Sequence, residues 1–168
     1  TKDGEKALNV GVPFNQRPKA VRFDYKVKMS GQPDRIKQNG FSRKSVVKGQ
    51  DCAIMTCVLQ KRHEDSEGNI IAKRIGTAVV RYNKSTDWNN KATYEIHYGD
   101  ISRTSYYDAE IMRLGVGDYY ARNSKGKSVM IKENGWAAAD ETPTHMILQF
   151  TSSLGGAFIG SPGNTFWV

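Results

Sequence analysis

The feature that most constrains this chain is an apolar period of two. In AVRFDYKVKM, Val21, Phe23, Tyr25, Val27 and Met29 alternate with Arg22, Asp24, Lys26 and Lys28. Successive side chains of a strand point to opposite faces, so this pattern makes a strand with one face buried and one wet. ATYEIHYGD repeats it, with Tyr94, Ile96 and Tyr98 opposite Thr93, Glu95 and His97. CAIMTCVLQ is apolar on both faces and reads as a central strand covered on both sides. KRHEDSEGNIIAKRI reads as a hairpin with its tip at 65–69, where Glu67-Gly68-Asn69 offers the positive φ that tips need. GTAVVRY, residues 128–132, THMILQFTSS and TFWV supply further strands. Pro13 and Pro18 predict an extended lead-in over residues 1–20, and 30–40 is a loop by composition. One stretch breaks the rhythm. SYYDAEIMRLG carries a cap candidate (Ser105), an apolar set (Ile111, Met112, Leu114) and a stop at Gly115, the marks of a short helix or turn.

These elements predict an all-β fold: a single antiparallel β-sandwich over 1–168, with a long loop insertion at 101–140 and at most one or two short helices in 101–125. Tyr25, Ile54, Ile96 and Leu148 are expected in a shared core. The length, 168 residues, suits one domain of roughly 100–200 residues. No apolar run approaches the ~18 residues of a membrane-spanning helix, and no basic-then-apolar leader opens the chain.

Charge is uneven. Residues 1–50 hold 12 Lys and Arg against 4 Asp and Glu, which accounts for the whole net charge of +8. A polyanion could use such a patch, but the basic residues are scattered singly, as on a solvated strand face. A nucleic-acid partner is therefore not expected, and binding through residues 1–50 is the alternative.

The two cysteines, Cys52 and Cys57, stand five apart on one predicted strand. They point to opposite faces about 16 Å apart, whereas a disulfide needs Cα atoms within roughly 7 Å. They are expected to be buried thiols that are not bonded to each other. No zinc spacing, nucleotide-binding glycine motif, HExxH or GxSxG is present. Neither a metal nor a cofactor is expected. The acidic turn at 65–69 lacks calcium-loop spacing, so a structural calcium is not indicated. Asp100, Asp108, Glu110, Asp118 and Glu133 fall in or near the irregular middle. A glycosidase would need two of them at about 5–9 Å, but caps and solvated turns are the simpler account, and no catalytic residue is assigned.

Aromatics carry the strongest functional signal. Trp88, Tyr106, Tyr107, Tyr119, Tyr120 and Trp136 fall in predicted loops or loop ends. A flat ring packs against the C–H face of a sugar and keeps a polar tip, while Asn89, Asp108 and Asp118 can hydrogen-bond hydroxyls. These nine residues form the predicted ligand-binding rim. Base stacking and plugging the ends of the sandwich are the competing uses of the same rings.

Three stretches together resemble a known family. VPFNQRPKAVRFDYKVK, GQDCAIMTCVLQ and PTHMILQFTSSLGGAFIGSPGNTFWV come in the order seen in the carbohydrate metabolism domain family of Bacteroides-type bacteria. The resemblance implies a jelly-roll sandwich like those of carbohydrate-binding modules, cut from a longer exported protein. It implies a secreted, periplasmic or outer cell-surface location, an oligo- or polysaccharide ligand, and other domains of the same precursor as partners. A non-catalytic glycan-binding module in glycan utilisation is the first expectation. A glycoside hydrolase or lyase domain and a structural or interaction module at the cell surface are the alternatives.

Overall fold

The computed structural model describes residues 4–38, 40–156 and 158–168. The chain is mostly β, with 48% strand and 4% helix. A 3-10 turn, Gly4–Ala7, comes before β1 (Val12–Pro13), β2 (Ala20–Lys28), β3 (Asp34–Lys37) and β4 (Ser45–Lys48). The two longest strands follow, β5 (Ala53–Glu64) and β6 (Ile70–Tyr82), then β7 (Asn89–Glu95) and β8 (His97–Tyr98). After α1 (Ala109–Met112) come β9 (Tyr120–Arg122), β10 (Ser128–Trp136), β11 (His145–Thr151), β12 (Ile159–Gly160) and β13 (Thr165–Trp167).

The strands form one seven-stranded sheet, in the order β1-β11-β5-β6-β10-β9 with β8 also on β6, and two three-stranded sheets, β12-β3-β4 and β13-β2-β7. β5, apolar on both faces, lies inside the large sheet as expected, and its first eight residues are almost all buried. The expected antiparallel pairing is broken at β10. β10 runs parallel to β6, from Ile131 opposite Ile70 to Trp136 opposite Arg74, with the register stepping between Glu133 and Gly135.

The chain divides into two compact units, each discontinuous in sequence. The first comprises the residues up to Lys19 with Cys57–Val79 and Glu95–Leu148; the second comprises Ala20–Thr56, Val80–Tyr94 and Gln149–Val168. In the first unit Ile70, Ala72, Ala121 and Ile131 form a buried cluster, with Tyr119 and Val129 packed on it. Gly76 of β6 lets its neighbours come close: a Cβ there would stand 2.9 Å from Ile96, 3.1 Å from Leu59 of β5 and 3.4 Å from Tyr98 of β8. In the second unit the inward face of β2 builds an aromatic core. Phe23 meets Phe150 at 4.9 Å, Tyr25 meets Tyr82 at 4.8 Å, and Tyr82 meets Phe166 at 5.0 Å, mostly in tilted or edge-on geometry. Such pairs contribute about 0.5–1.5 kcal/mol each beyond their buried area.

A second anchor of that unit is Asp51, which is 1% exposed. Its carboxylate accepts hydrogen bonds from the backbone N–H groups of Cys52, Leu154 and Ser161, the Ser153 hydroxyl and the Asn164 amide, at 2.9–3.2 Å. The charge is thus met by donors from the 153–164 turn region, which is tied to the start of β5.

Several expectations hold. β2 buries Tyr25 and Val27 and exposes Arg22, Asp24 and Lys28. The 65–69 hairpin tip closes with Asp65 N–H donating to the Asn69 carbonyl at 3.0 Å, and Gly68 takes φ +87°. Cys52 and Cys57 are buried thiols not joined by a disulfide. Others need correction. Leu148 is 45% exposed, and its neighbour Ile147 is buried instead. In HMILQF three consecutive apolar residues leave the phase of the alternation ambiguous, and packing chose the other face. Residues 34–37, read as loop, are β3, paired with β4 and β12. Pro13 does not prevent pairing: it sits in β1, opposite His145 at the edge of the large sheet, where a proline is tolerated. The 101–140 segment contains, beside the expected short helix, the unexpected β9 and the whole of β10, which extends the strand expected at 128–132 to Trp136.

Candidate functional site

In the first unit, the irregular 100–118 stretch is positioned by a buried ion pair. Arg74 of β6 and Glu133 of β10 have side chains 1% and 3% exposed. Arg74 Nε donates to Glu133 Oε1 at 3.0 Å, and Nη2 donates to Oε2. The carboxylate also accepts from Gln60 Nε2 at 2.7 Å and from the Gly115 N–H at 2.8 Å. Arg74 Nη1 and Nη2 reach past it to the carbonyls of Met112 and Arg113, at 2.7 and 3.3 Å. One guanidinium thus fastens the last turn of α1 to the sheet. Burial works against the Glu133 carboxylate, but the Arg74 hydrogen bond and charge, with help from Gly115 and Gln60, outweigh it and hold the carboxyl below its usual range. Glu133, expected near a solvated turn, is therefore a structural anion. A group tuned downward in this way is poorly suited to act as a general acid near neutral pH.

The predicted rim residues have different roles. Asp108 is the N-cap of α1, its side chain accepting from the Glu110 N–H at 3.0 Å, so the cap is Asp108 and not Ser105. Tyr107 lies in the turn before it, where its N–H donates to the Thr104 carbonyl at 3.2 Å. Asp118 is exposed, with backbone φ +43°. Tyr119 packs on the Ile70 cluster, and its ring covers Gly117, where a Cβ would meet the ring at 2.8 Å. Tyr120 and Trp136 are strand residues, of β9 and β10, rather than loop residues. The Tyr120 ring lies 6.0 Å from Lys6 Nζ, and Arg74 sits 5.5 Å from the Trp136 ring. A three-residue strand such as β9 carries too few residues to show a period, which is why Tyr120 reads as loop, while Trp136 ends β10 just past Gly135, where the register steps.

Tyr106 is different. Its ring stacks on His97 of β8, with centroids 4.0 Å apart and planes 25° apart, and the residue is 42% exposed. His97 supports one face of the ring, and the surrounding 100–105 turns hold it: the Ser102 N–H donates to Asp100 at 2.9 Å, and the Thr104 hydroxyl donates to the Ile101 carbonyl at 2.7 Å. The remaining two rim residues belong to the second unit. Trp88 is 54% exposed just before β7, and Asn89 donates to the Tyr25 hydroxyl at 3.3 Å.

Sequence reasoning also passed over a cavity of about 290 Å3 in the first unit, where Arg62, His63 and His145 converge. Arg62 and His145 are brought together by β5 and β11, since the Thr144 hydroxyl accepts from the Arg62 N–H at 2.9 Å and lies 2.8 Å from His145 Nδ1. Burial, then the Arg62 charge, lowers the His145 pKa, and burial pulls the Arg62 guanidinium down to about 10. Arg62 and His145 stand 83 positions apart, so the sequence carries no local signal of this pairing.

Among the described residues, no group of three or more His, Cys, Asp or Glu side chains could hold a metal ion. Among them also, no helix is long and apolar enough to cross a membrane. Compared with known proteins, the chain matches no protein-family model, no curated protein and no solved structure.

Proposed function

We propose that this chain is a non-catalytic carbohydrate-binding module of a secreted or cell-surface glycan-utilisation protein, folded as a jelly-roll β-sandwich. The resemblance to the carbohydrate metabolism domain family suggests the class of ligand. The observation that carries the reading is the Tyr106 ring, backed on one face by His97 and open to solvent. A ring held flat in this way loses little freedom when a sugar stacks on it, and stacking gives about 0.5–1.5 kcal/mol per ring. Hydroxyl contacts add little, because each replaces one the sugar made to water. Binding is therefore weak and changes little with salt, since a neutral sugar releases no counterions.

A glycan array followed by titration calorimetry tests this. Tyr106→Ala weakens binding of a hit glycan about 2–12-fold, the worth of one stacked ring, while Trp136→Ala, whose ring serves Arg74, changes fold stability more than affinity. If Tyr106→Ala binds normally and affinity collapses as salt rises, the basic residues of 1–50 carry a polyanion and the platform is wrong.

A further inference from the structure

The cavity at Arg62 is separate from the Tyr106 platform and is built differently. Arg62 Nε donates to Gln60 Oε1 at 2.8 Å and Nη1 to the Val10 carbonyl at 2.9 Å. Nη2 is buried and has no hydrogen-bond partner among the described residues. It lies against Gly11, where a Cβ would stand only 2.5 Å from it, and Gly11 lines the same cavity. A side chain at position 11 would occupy the space next to this nitrogen. A charged N–H without an acceptor costs about 1–3 kcal/mol, and an ionised acceptor would recover that through a charge-assisted bond.

The surrounding charge sets the valence of the ligand. Arg122 stands on the cavity wall, and among the described residues Glu64 is the single carboxylate lining it. Glu64 is engaged by the Ser124 N–H at 2.8 Å and its hydroxyl at 2.7 Å, and those bonds hold its carboxyl below the usual range. Two guanidinium groups against one carboxylate leave room for one negative charge. Ile70 gives the cavity an apolar side, and its volume sits at the low end of the roughly 300–1,000 Å3 of ligand pockets.

We propose that the cavity between Arg62, Arg122 and His145 binds a small monocarboxylate, with the carboxylate on Arg62 and the C–H face of the ligand against Ile70. A hexuronic acid and a free short-chain carboxylic acid share this chemistry. The proposal does not depend on the glycan reading of Tyr106.

The test is a heteronuclear NMR titration of the whole chain with sodium glucuronate, sodium acetate and glucose at matched ionic strength. Amide signals of Gly11, Arg62, Arg122 and His145 move with the carboxylates and stay still with glucose. Tighter binding of glucuronate than acetate identifies a sugar acid as the source; equal or tighter binding of acetate identifies a free acid. Arg122→Gln, at an exposed position where Nη1 already donates to the Gly126 carbonyl at 3.0 Å, removes one of the two guanidinium charges at the cavity and weakens binding about two- to fivefold. Arg62→Lys keeps the charge but loses the fork and weakens it further; if that variant does not fold, Arg122→Gln decides. Signals that ignore both carboxylates, that move equally with glucose, or that respond to glucuronate unchanged in Arg122→Gln overturn the proposal.

Discussion

Replacing Glu133 by Gln tests the buried ion pair directly. The carboxylate accepts from Gln60, from the Gly115 N–H and twice from Arg74. A Gln side chain presents an NH2 group to donors on one side and leaves the Arg74 charge uncompensated in a site 1% exposed. Breaking a buried pair from one side costs about 3–5 kcal/mol, a large share of the roughly 5–15 kcal/mol that holds a domain together. For a chain of this size that lowers Tm by roughly 6–20 °C. The double replacement Arg74→Met with Glu133→Leu restores only part of the loss: no orphan charge remains, but Gln60, the Gly115 N–H and the Met112 and Arg113 carbonyls lose their partners. Acidity supplies a second check. The folded pKa of Glu133 lies below its unfolded value, mainly because the Arg74 hydrogen bond overcomes burial. Its contribution is therefore fully present above about pH 4.5 and is lost as pH falls through the lowered folded value. Urea unfolding of wild type and Glu133→Gln gives a gap that is constant from pH 7 to about 5 and narrows only in more acidic solution. A gap under about 1 kcal/mol at pH 7, or one that narrows well above pH 5, refutes the reasoning.

Asp51→Ala orphans buried donors around the 153–164 turn region and destabilises the second unit by about 3 kcal/mol or more; hydrogen exchange at Leu154 and Ser161 accelerates, and unchanged protection there contradicts the hub. Burial pushes the Cys57 thiol up to about 11, so a thiol reagent at pH 8 labels Cys57 only after unfolding. Rapid labelling of Cys57 in the native protein, or an intramolecular disulfide seen as a two-dalton mass loss, counts against the β5 assignment. Leu148→Ser costs under about 1 kcal/mol while Ile147→Ala costs about 2–5 kcal/mol, and the reverse order in thermal melts returns Leu148 to the core.

What the sequence revealed and what it concealed follow from the range over which a signal acts. The alternation of β2, the double-sided apolar run of β5 and the 65–69 tip are local patterns, and each is found where expected. The helix position was legible, but its cap was not: Ser105 and Asp108 are both good caps, and only the Asp108 bond to the Glu110 N–H separates them. β3 escaped notice because its four residues after Pro33, three half-buried and one exposed, leave almost no period. The partnership of Arg74 with Glu133, the five donors on Asp51 and the parallel pairing of β10 join residues dozens of positions apart. No window along the chain contains both partners. Aromatic type and a predicted loop position do not tell which way a ring faces, so the predicted rim mixes an exposed ring, Tyr106, with rings such as Tyr119 that pack on the core.

The discontinuity of the two units bears on how the chain emerges from a ribosome. β1 waits for Met146 and His145 of β11, and β2 waits for residues 165–167 of β13. Neither unit can complete its sheets until most of the sequence has been synthesised, so early strands spend that time with open edges, exposed to wrong partners. Such long-range pairings also slow folding, toward the milliseconds-to-seconds regime of β-rich domains. For expression, no cut between the units yields either one as a contiguous fragment, and a truncation before Thr165 leaves β2 without one of its two neighbours.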